Sequence, residues 1–454
     1  MTANNFLIVD GKRISEDEIP EFFPLSIVKY QKSYASIIQF IVEDIYNIKK
    51  TNTEYPVYIN LLASKSLKIK YLTIIIELSK TNKLEEISFD YITSDFQKFF
   101  DQSTRIKNKI KKLNFIDKSE VRGIIPKYCA NLLFNMLGLF IKKKRTSTSS
   151  LVRAWVDVDE KLHTKEFYDS SIFIYPFGIN FKRSYSFIKK VFSNHSNVKL
   201  IGINYQFWDA FKVLLGSNKL EKLVTFEFRG MRKHSKAFSN FKTIYTSDEF
   251  QAATPILYKN TENTRVINRA HGMGCYNLII NYTEFYVYND IQKEYYKRNN
   301  PELIYKIYNS EPEELIQSQS NKKVNRIVYI DQGDLNKYNY FYETKLQNKV
   351  LKELKDINEG NNEYEVFVKY HPNRSETEIK EFNNINKLAS IKVLDANEQY
   401  LFINLYSTSY FDFKKLGSFI FVSDDHFSAK YFFGDSITRV HINQLKSKIL
   451  NNDV

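Results

Sequence analysis

Short apolar runs alternate along this chain with segments of helical periodicity about 10–15 residues long. Residues 170–179 (SSIFIYPFGI) predict a buried strand, residues 184–195 a helix, and residues 198–205 the next strand. Strands separated by helices of this length form βαβ units, in which the strands run parallel. The pattern therefore predicts an α/β fold built on doubly wound parallel sheets.

The same reasoning assigns the other elements. Further strands are predicted at 56–62, 85–92, 223–228, 241–247, 265–270, 326–331, 363–370, 391–395 and 418–423. Further helices are predicted at 66–84, 205–217, 342–357, 376–385 and 397–406, with another starting in 407–417. On the helix at 342–357, Leu346, Val350, Leu354 and Ile357 share one face, which is expected to be buried.

A polar stretch at residues 297–323 interrupts the alternation and ends in the linker-like SQSNKK. It predicts a connection between an N-terminal α/β domain (1–296) and a C-terminal α/β domain (324–454). The chain of 454 residues is 43% hydrophobic, which is enough apolar mass for two sizeable cores. Its two cysteines, Cys129 and Cys275, exclude a disulfide framework and favour a reducing compartment.

Three polar segments follow predicted strands, at the sheet edge where open α/β folds bind ligands. They are AHGMG (270–274), KYHPNRSE (369–376) and NLYSTSYFDF (404–413). In the first, Gly272 would let a substrate approach the backbone, and His271 is a candidate base or leaving-group stabiliser. A histidine bonded to the backbone of a turn is the alternative.

In the second segment, Pro372 ends the strand and holds His371 at the sheet edge, where it can donate to a phosphate oxygen. Arg374 offers a fork-shaped donor, and Ser375 with Glu378 has the spacing of a capping box. A purely structural strand end is the alternative for His371.

The third segment offers hydroxyl groups at Ser407, Thr408 and Ser409, either for a phosphate or as simple helix caps. Asp331 follows another C-terminal strand and is a candidate for contact with a nucleotide sugar.

Together, the HG turn, the HP after a C-terminal strand and the segment LYSTSYFDF resemble GT-B-type bacterial surface-polysaccharide transferases. The nearest patterns are the CDP-glycerol glycerophosphotransferases of teichoic acid and capsule synthesis, and the sialyl-, polysialyl- and Kdo transferases with an HP motif. Tyr406, Ser407 and Asp412 fit the teichoic-type segment, whereas Leu405 replaces its leading aspartate. The resemblance covers roughly residues 266–425.

The resemblance implies two Rossmann-like domains facing a cleft, with the donor nucleotide held by the C-terminal domain. It implies that His371, Pro372 and the serine-rich turn bind the donor phosphate. The acidic motif of the polysialyltransferases is absent as such. Its closest candidate is Glu227 in FEFRG, as the base that activates the acceptor; a solvated strand residue is the alternative.

The resulting hypothesis is a metal-independent glycosyltransferase without a cofactor. It would move a sugar from a CMP- or other cytidine-linked donor to an oligo- or polysaccharide acceptor of the bacterial surface, anionic or lipid-linked. A CDP-polyol-dependent glycerophosphotransferase is the first alternative. A D-x-D at Asp157 and Asp159 is typical of metal-dependent transferases, but its surroundings are not a strand end in a single nucleotide-binding domain. His271 and Cys275 have helical spacing, but the glycines between them argue against a helix and no further histidine or cysteine completes a zinc set.

The net charge of +14 points to an anionic partner. A basic nucleic-acid-binding protein is a more distant alternative, but lysines and tyrosines are spread along the chain without a recognisable motif, so no nucleic acid is expected.

The N-terminal residues lack the features of a signal peptide, and no apolar run reaches the length of about 18 residues that spans a membrane. The protein is therefore expected to be cytoplasmic. The nearest approach is residues 130–145 (ANLLFNMLGLFIKKKR), for which a buried helix with a solvated basic end is favoured. Peripheral contact of its basic cluster with the inner face of the cytoplasmic membrane is the alternative.

Overall fold

The structure, a computed structural model, describes most of the chain. The described residues are 5–19, 27–107, 115–116, 118–143, 148–155, 163–176, 181–259, 263–272, 278–307, 324–333, 341–360, 363–371 and 374–451. The chain forms two compact units. The first comprises residues Met1–Glu16, Gln31–His271 and Cys275–Ile307, and the second comprises Asp17–Tyr30, Gly272–Gly274 and Tyr308–Val454.

The first unit begins with a small mixed sheet. Its strands, in the spatial order β2-β1-β3-β4, are β1 (Phe6–Val9), β2 (Lys12–Ser15), β3 (Leu84–Ser88) and β4 (Arg105–Ile106). Helices α1 (Gln31–Phe40), α2 (Tyr55–Lys65) and α3 (Leu67–Ser79) belong to this part, and a π-helical turn, Ile41–Ile45, continues α1. Asn60 of α2 bonds to the backbone of Ala252 and Ile279 and so ties this layer to the rest of the unit.

The main sheet of the first unit has eight strands. They are β5 (Lys142–Lys143), β6 (Ser150–Ala154), β7 (Ser171–Ile174), β8 (Val198–Leu200), β9 (Thr243–Thr246), β10 (Arg265–Arg269), β11 (Glu284–Val287) and β12 (Ile304–Ile307). Their order is β12-β11-β10-β9-β6-β7-β8-β5, and only the edge strand β5 is antiparallel to its neighbour. From β6 the chain winds one way to β8 and then, from β9, the other way to β12. The sheet is therefore doubly wound, with its topological switch point between β6 and β9.

Helices surround this sheet. They are α4 (Lys118–Arg122), α5 (Ile124–Phe140), α6 (Thr164–Asp169), α7 (Phe181–Asn194), α8 (Phe207–Leu215), α9 (Lys219–His234), α10 (Thr254–Leu257) and α11 (Asp290–Lys297). The core between sheet and helices is apolar; Val152, Phe167, Ile172, Val191 and Leu200 are among its buried members.

The second unit holds a six-stranded, wholly parallel sheet. Its strands are β13 (Arg326–Ile330), β14 (Glu365–Lys369), β15 (Ala389–Ser390), β16 (Tyr400–Asn404), β17 (Gly417–Ser423) and β18 (Arg439–His441), in the order β15-β14-β13-β16-β17-β18. Its helices are α12 (Phe341–Gly360), α13 (Glu376–Asn386), α14 (Ser409–Phe413), α15 (Lys430–Phe433) and α16 (Leu445–Leu450). This sheet is also doubly wound, and its switch point lies between β13 and β16.

The predicted α/β class with doubly wound parallel sheets in two domains is confirmed. The apolar stripe Leu346, Val350, Leu354 and Ile357 is buried as expected. The stretch predicted as the interdomain connection contains β12, which pairs with β11 in the first unit.

Four element predictions are wrong. Residues 56–62 and 223–228, predicted as strands, lie in α2 and α9. Residues 397–406, predicted as a helix, contain strand β16. The strand predicted at 391–395 is instead the two-residue β15 at Ala389–Ser390.

Candidate functional site

In the first unit, acidic and amide side chains gather where β9 and β10 end. Glu249 is 1% exposed and accepts hydrogen bonds from the backbone N of His271 (2.5 Å) and from Asn268 Nδ2 (3.1 Å). The Asn268 amide is oriented by Asp248, whose backbone N–H donates to Asn268 Oδ1 (3.0 Å). Burial raises the pKa of Glu249 to about 7. The hydrogen bonds from His271 and Asn268 lower this pKa, and the charge of the neighbouring Asp248 raises it. A buried carboxyl group thus holds the HG turn.

His271 follows β10 with only Ala270 between them, and it is half-buried with Gly272 beside it. The His271 imidazole and the Phe250 ring make an edge-to-face contact, with their centroids 6.0 Å apart. The turn is therefore held by its backbone, through Glu249, and by an aromatic contact of the imidazole.

A second cluster lies at the switch point itself. Asp248 is fully buried; it pairs with the Arg153 guanidinium and accepts hydrogen bonds from the hydroxyls of Tyr258 and Tyr282, each at 2.9 Å. Burial raises the pKa of both phenols, so they remain protonated donors. Arg153 lies within β6, next to its last residue, and Asp248 lies in the loop after β9, so this pair joins the two strands that flank the switch point.

Two buried histidines flank this cluster. His163 Nε2 lies 3.1 Å from the carbonyl oxygen of Thr246, and His234 Nε2 lies 2.8 Å from Tyr175 Oη. Burial, with a contribution from Arg269, lowers the pKa of His163 to about 3. Burial, with contributions from Arg153 and Lys199, lowers the pKa of His234 to about 3. Both are neutral in the folded protein at neutral pH.

These shifts predict that the first unit loses stability in mild acid. Unfolding frees both histidines to bind a proton below about pH 6.5, and each then costs about 1.4 kcal/mol of stability per pH unit as the pH falls. Glu249 acts in the opposite direction between about pH 4.5 and 7, because its raised pKa makes the folded state bind the extra proton. The net expectation is a loss of about 1.4 kcal/mol per unit between about pH 6.5 and 5, measured by urea unfolding.

The variant His234→Phe should remove one histidine contribution and flatten this slope almost to zero, whatever its effect on stability at neutral pH. His426→Gln, which changes an exposed histidine of the second unit, is the matched control and should keep the wild-type slope. A His234→Phe slope equal to that of the wild type would show that His234 titrates in the folded state.

Sequence reasoning missed Glu249, Asp248, Asn268 and Arg153. The sequence held a signal for the two acids, because they follow the predicted strand at 241–247 directly, where open α/β sheets bind ligands. Arg153 and Asn268 had no such signal, since each lies inside a strand.

In the second unit, the loops after β13 and β14 are joined by a buried ion pair. Asp331 is buried, and its carboxylate accepts from Arg374 Nε and Nη2 (2.5 and 2.9 Å) and from the backbone N of His371 (3.1 Å). Arg374 Nη2 also donates to the carbonyl oxygen of Gly333 (2.9 Å). Asp331 and Arg374, predicted as separate ligand contacts, thus bind each other and fix the turn that carries His371.

Gly333 lies against the ring of His371. Its φ is +82°, and a Cβ at this position would come within 3.3 Å of the imidazole. Only glycine combines this backbone conformation with room for the ring. The capping box predicted for the next helix is present, with Ser375 and Glu378 each bonded to the other's backbone N.

At the end of β16, on the other side of the switch point, lies the serine-rich turn. Ser407 Oγ accepts from the backbone N of Ser409 (3.1 Å), a local turn bond just before α14, and Thr408 and Ser409 are half-buried. Asn404, the last residue of β16, is fully buried, and within the described part of the chain its side-chain oxygen and nitrogen have no hydrogen-bond partner. A buried amide without a partner is rare in proteins and marks a place where a further polar group is expected.

Glu227 does not lie on a strand, and that part of its prediction is wrong. It is on α9, 5% exposed, and its two carboxylate oxygens bind Lys127 Nζ and Tyr205 Oη (2.9 Å). The residue is buried because it faces the packed side of an amphipathic helix. Its carboxylate is occupied by a lysine and a tyrosine rather than directed to a strand end.

Several predicted residues lie outside the described ranges: Pro372, Asp157, Asp159 and Cys275. Within those ranges, no group of three or more histidine, cysteine, aspartate or glutamate side chains is placed to hold a metal ion.

No protein family model matches the chain, and a search of curated proteins found no match. Solved structures with some likeness include a UDP-N-acetylglucosamine 2-epimerase (TM-score 0.35, 9% identity, 68% of this chain and 88% of the other). They also include an alpha/beta-galactoside alpha-2,3-sialyltransferase from a luminous marine bacterium, Photobacterium phosphoreum (TM-score 0.35, 8% identity, 66% of this chain and 100% of the other).

Proposed function

We propose that the chain is a glycosyltransferase that binds a nucleotide-activated donor at the switch point of its second unit. The donor would be cytidine-linked, and the acceptor an oligo- or polysaccharide of the bacterial surface. The observation that carries the proposal is the His371 turn, locked by Asp331 and Arg374 beside the crevice between β13 and β16. Ligands of doubly wound sheets bind at this position.

The polar groups at the carboxyl ends of β14 and β16 suit a nucleotide phosphate. Donors to phosphate oxygens would be the His371 imidazole and the hydroxyls of Thr408 and Ser409, while Arg374 positions the His371 turn through Asp331. The buried amide of Asn404 offers a further donor and acceptor beside them. Fixed donors of this kind stabilise the charge that develops on a leaving phosphate.

In the proposed reaction, His271 acts as the general base. The acceptor oxygen bonds to the anomeric carbon, the bond from that carbon to the phosphate oxygen breaks, and the hydroxyl proton passes to the His271 imidazole. Glu249 is a positioning residue, because it holds the backbone of His271. A base of this kind contributes about 10²–10⁴-fold to the rate. Glu227 has no part in this scheme, since Lys127 and Tyr205 occupy its carboxylate.

A polyol-phosphate transferase would use the same nucleotide site. In that case the acceptor oxygen would attack phosphorus of a CDP-polyol, and CMP would leave. The product distinguishes the two reactions, since a sugar joins the acceptor in one and a phosphodiester forms in the other.

The first test is a thermal shift of the full chain with CMP, CDP, UDP, GDP and their sugar or glycerol conjugates. A ligand at 100 times its Kd stabilises the folded state by about 2.7 kcal/mol, a shift of several degrees in Tm. We expect a shift with cytidine nucleotides that His371→Ala abolishes and that His426→Ala, an exposed histidine in the same unit, preserves. The proposal fails if no nucleotide raises the Tm of the wild type, or if His371→Ala responds as the wild type does.

A further inference from the structure

Helix α5 turns its polar and small residues toward the protein. Asn131 Oδ1 accepts from the backbone N of Ile203 (2.7 Å), and Asn135 Oδ1 accepts from that of Gly202 (2.9 Å). A Cβ on Gly138 would lie only 2.0 Å from the carbonyl oxygen of Leu200, so the helix packs directly on the backbone there. The inward face of α5 therefore supplies hydrogen-bond acceptors to the backbone N–H groups of the segment that follows β8.

The outward face of α5 is apolar, the reverse of a usual surface helix. The prediction of a buried helix is wrong for this face, since Phe140 is 82% exposed and Leu139 is 67% exposed. The other exposed apolar side chains here are Leu132, Leu133, Met136 and Ile141. Cys129 is exposed on the same helix.

Helix α8 extends this surface. It is joined to α5 by a ring contact between Tyr128 and Phe207 (5.7 Å), and Trp208 beside it is 68% exposed. Among the described residues, ten of the sixteen large apolar side chains that are exposed belong to these two helices and the residue after α5. The ten, here named the α5–α8 face, are Leu132, Leu133, Met136, Leu139, Phe140, Ile141, Phe207, Trp208, Phe211 and Leu215.

The charges around the α5–α8 face are basic. Residues 142–145 (KKKR) follow it directly, Lys142 is exposed, and Lys199 lies opposite Lys142 across the β5–β8 pair. Lys212 is exposed on α8. No aspartate or glutamate occurs in the sequence between Glu120 and Asp157. The single acid of α8, Asp209, is buried and bound to Arg229 (3.0 Å).

We propose that the α5–α8 face lies in the interfacial region of an anionic lipid membrane, with α5 and α8 parallel to its plane. A surface rich in Leu, Phe and Trp with a cationic edge matches the boundary between acyl chains and anionic headgroups. Each basic residue near such a surface strengthens binding about fivefold. Among the described residues no helix has the length and apolar character to cross a membrane, so this contact is peripheral.

A second copy of the chain fits the face less well. In a two-fold contact through this face, the exposed Lys142 and Lys212 of each protomer would be brought toward those of its partner, and like charges repel. An anionic bilayer instead presents the opposite charge to these lysines. This inference does not depend on the proposed donor site.

The test is co-sedimentation of the full chain with vesicles of phosphatidylcholine alone and of phosphatidylcholine with phosphatidylglycerol. We expect binding to the anionic vesicles, weakened by salt, with a blue shift in the emission of Trp208. The double variant Phe140→Ser, Trp208→Ser should bind at least about tenfold more weakly. The variant Lys142→Gln, Lys143→Gln should lose the preference for phosphatidylglycerol.

The matched control is Ile385→Ser, Val393→Ser, which changes two equally exposed apolar residues of the second unit. It should bind vesicles as the wild type does, and circular dichroism should show all three double variants folded. Three results would overturn the proposal: no vesicle binding by the wild type, equal binding by the Phe140, Trp208 variant, or lipid-free dimers that this variant dissociates. The last would make a second copy the occupant of the face.

Discussion

Replacing Asp248 with alanine is expected to destabilise the first unit by about 3–5 kcal/mol. The substitution leaves the Arg153 guanidinium, which is 0% exposed, without its carboxylate, and removes the acceptor of two tyrosine hydroxyls. An uncompensated charge in the interior costs far more than the pair contributed. Urea unfolding of the wild type and the variant measures the effect.

A double variant separates the cost of leaving a buried charge without its partner from the stability that the ion pair itself contributes. Arg153→Met combined with Asp248→Leu removes both charges and should be more stable than Asp248→Ala, because an apolar replacement of a buried pair is often nearly neutral. The control is Asp44→Ala, which breaks a contact with Lys98 (3.9 Å) in which both side chains are more than half exposed. That change is expected to cost less than about 1 kcal/mol.

The second large effect is expected at Asp331 and is both structural and functional. In Asp331→Ala the guanidinium of Arg374, 9% exposed, loses its carboxylate partner, and the backbone N of His371 loses its acceptor. We expect a loss of about 3–5 kcal/mol in the second unit, together with loss of the nucleotide-dependent thermal shift. Asp331→Asn keeps the shape and an acceptor, so it should fold better yet still bind nucleotide more weakly.

The control for Asp331 is Glu365→Ala in the same sheet. Glu365 pairs with Arg326 at 3.2 Å, but the two side chains are 60% and 33% exposed. Its loss should cost less than about 1 kcal/mol and leave nucleotide binding unchanged. If Asp331→Asn is folded and binds nucleotide with wild-type affinity, Asp331 has no positioning role for the His371 turn.

Two of the four errors in the predicted elements share a physical cause. Residues 56–62 of α2 are nearly all buried, so the helix shows no polar face and resembles a buried strand. Strand β16 is buried at all five positions, so it shows no alternation and resembles a buried helix. Periodicity identifies an element only when one of its faces meets water. Residues 223–228 alternate over a short window, and only the longer span of α9 shows its helical period.

The sequence by itself determined the α/β class, the doubly wound pattern and the positions of His271 and His371 after strands, because backbone periodicity and turn residues act locally. The tertiary structure alone decided which side chains meet. Asp331 and Arg374 are 43 positions apart, yet they form a buried pair between the loops after β13 and β14. Arg153 and Asp248 are 95 positions apart, yet they form a buried pair across the switch point of the first unit. It also decided which face of α5 is exposed, since backbone N–H groups beyond β8 required Asn131 and Asn135. Long-range pairing and the satisfaction of buried polar groups depend on where distant segments come together, which no local pattern encodes.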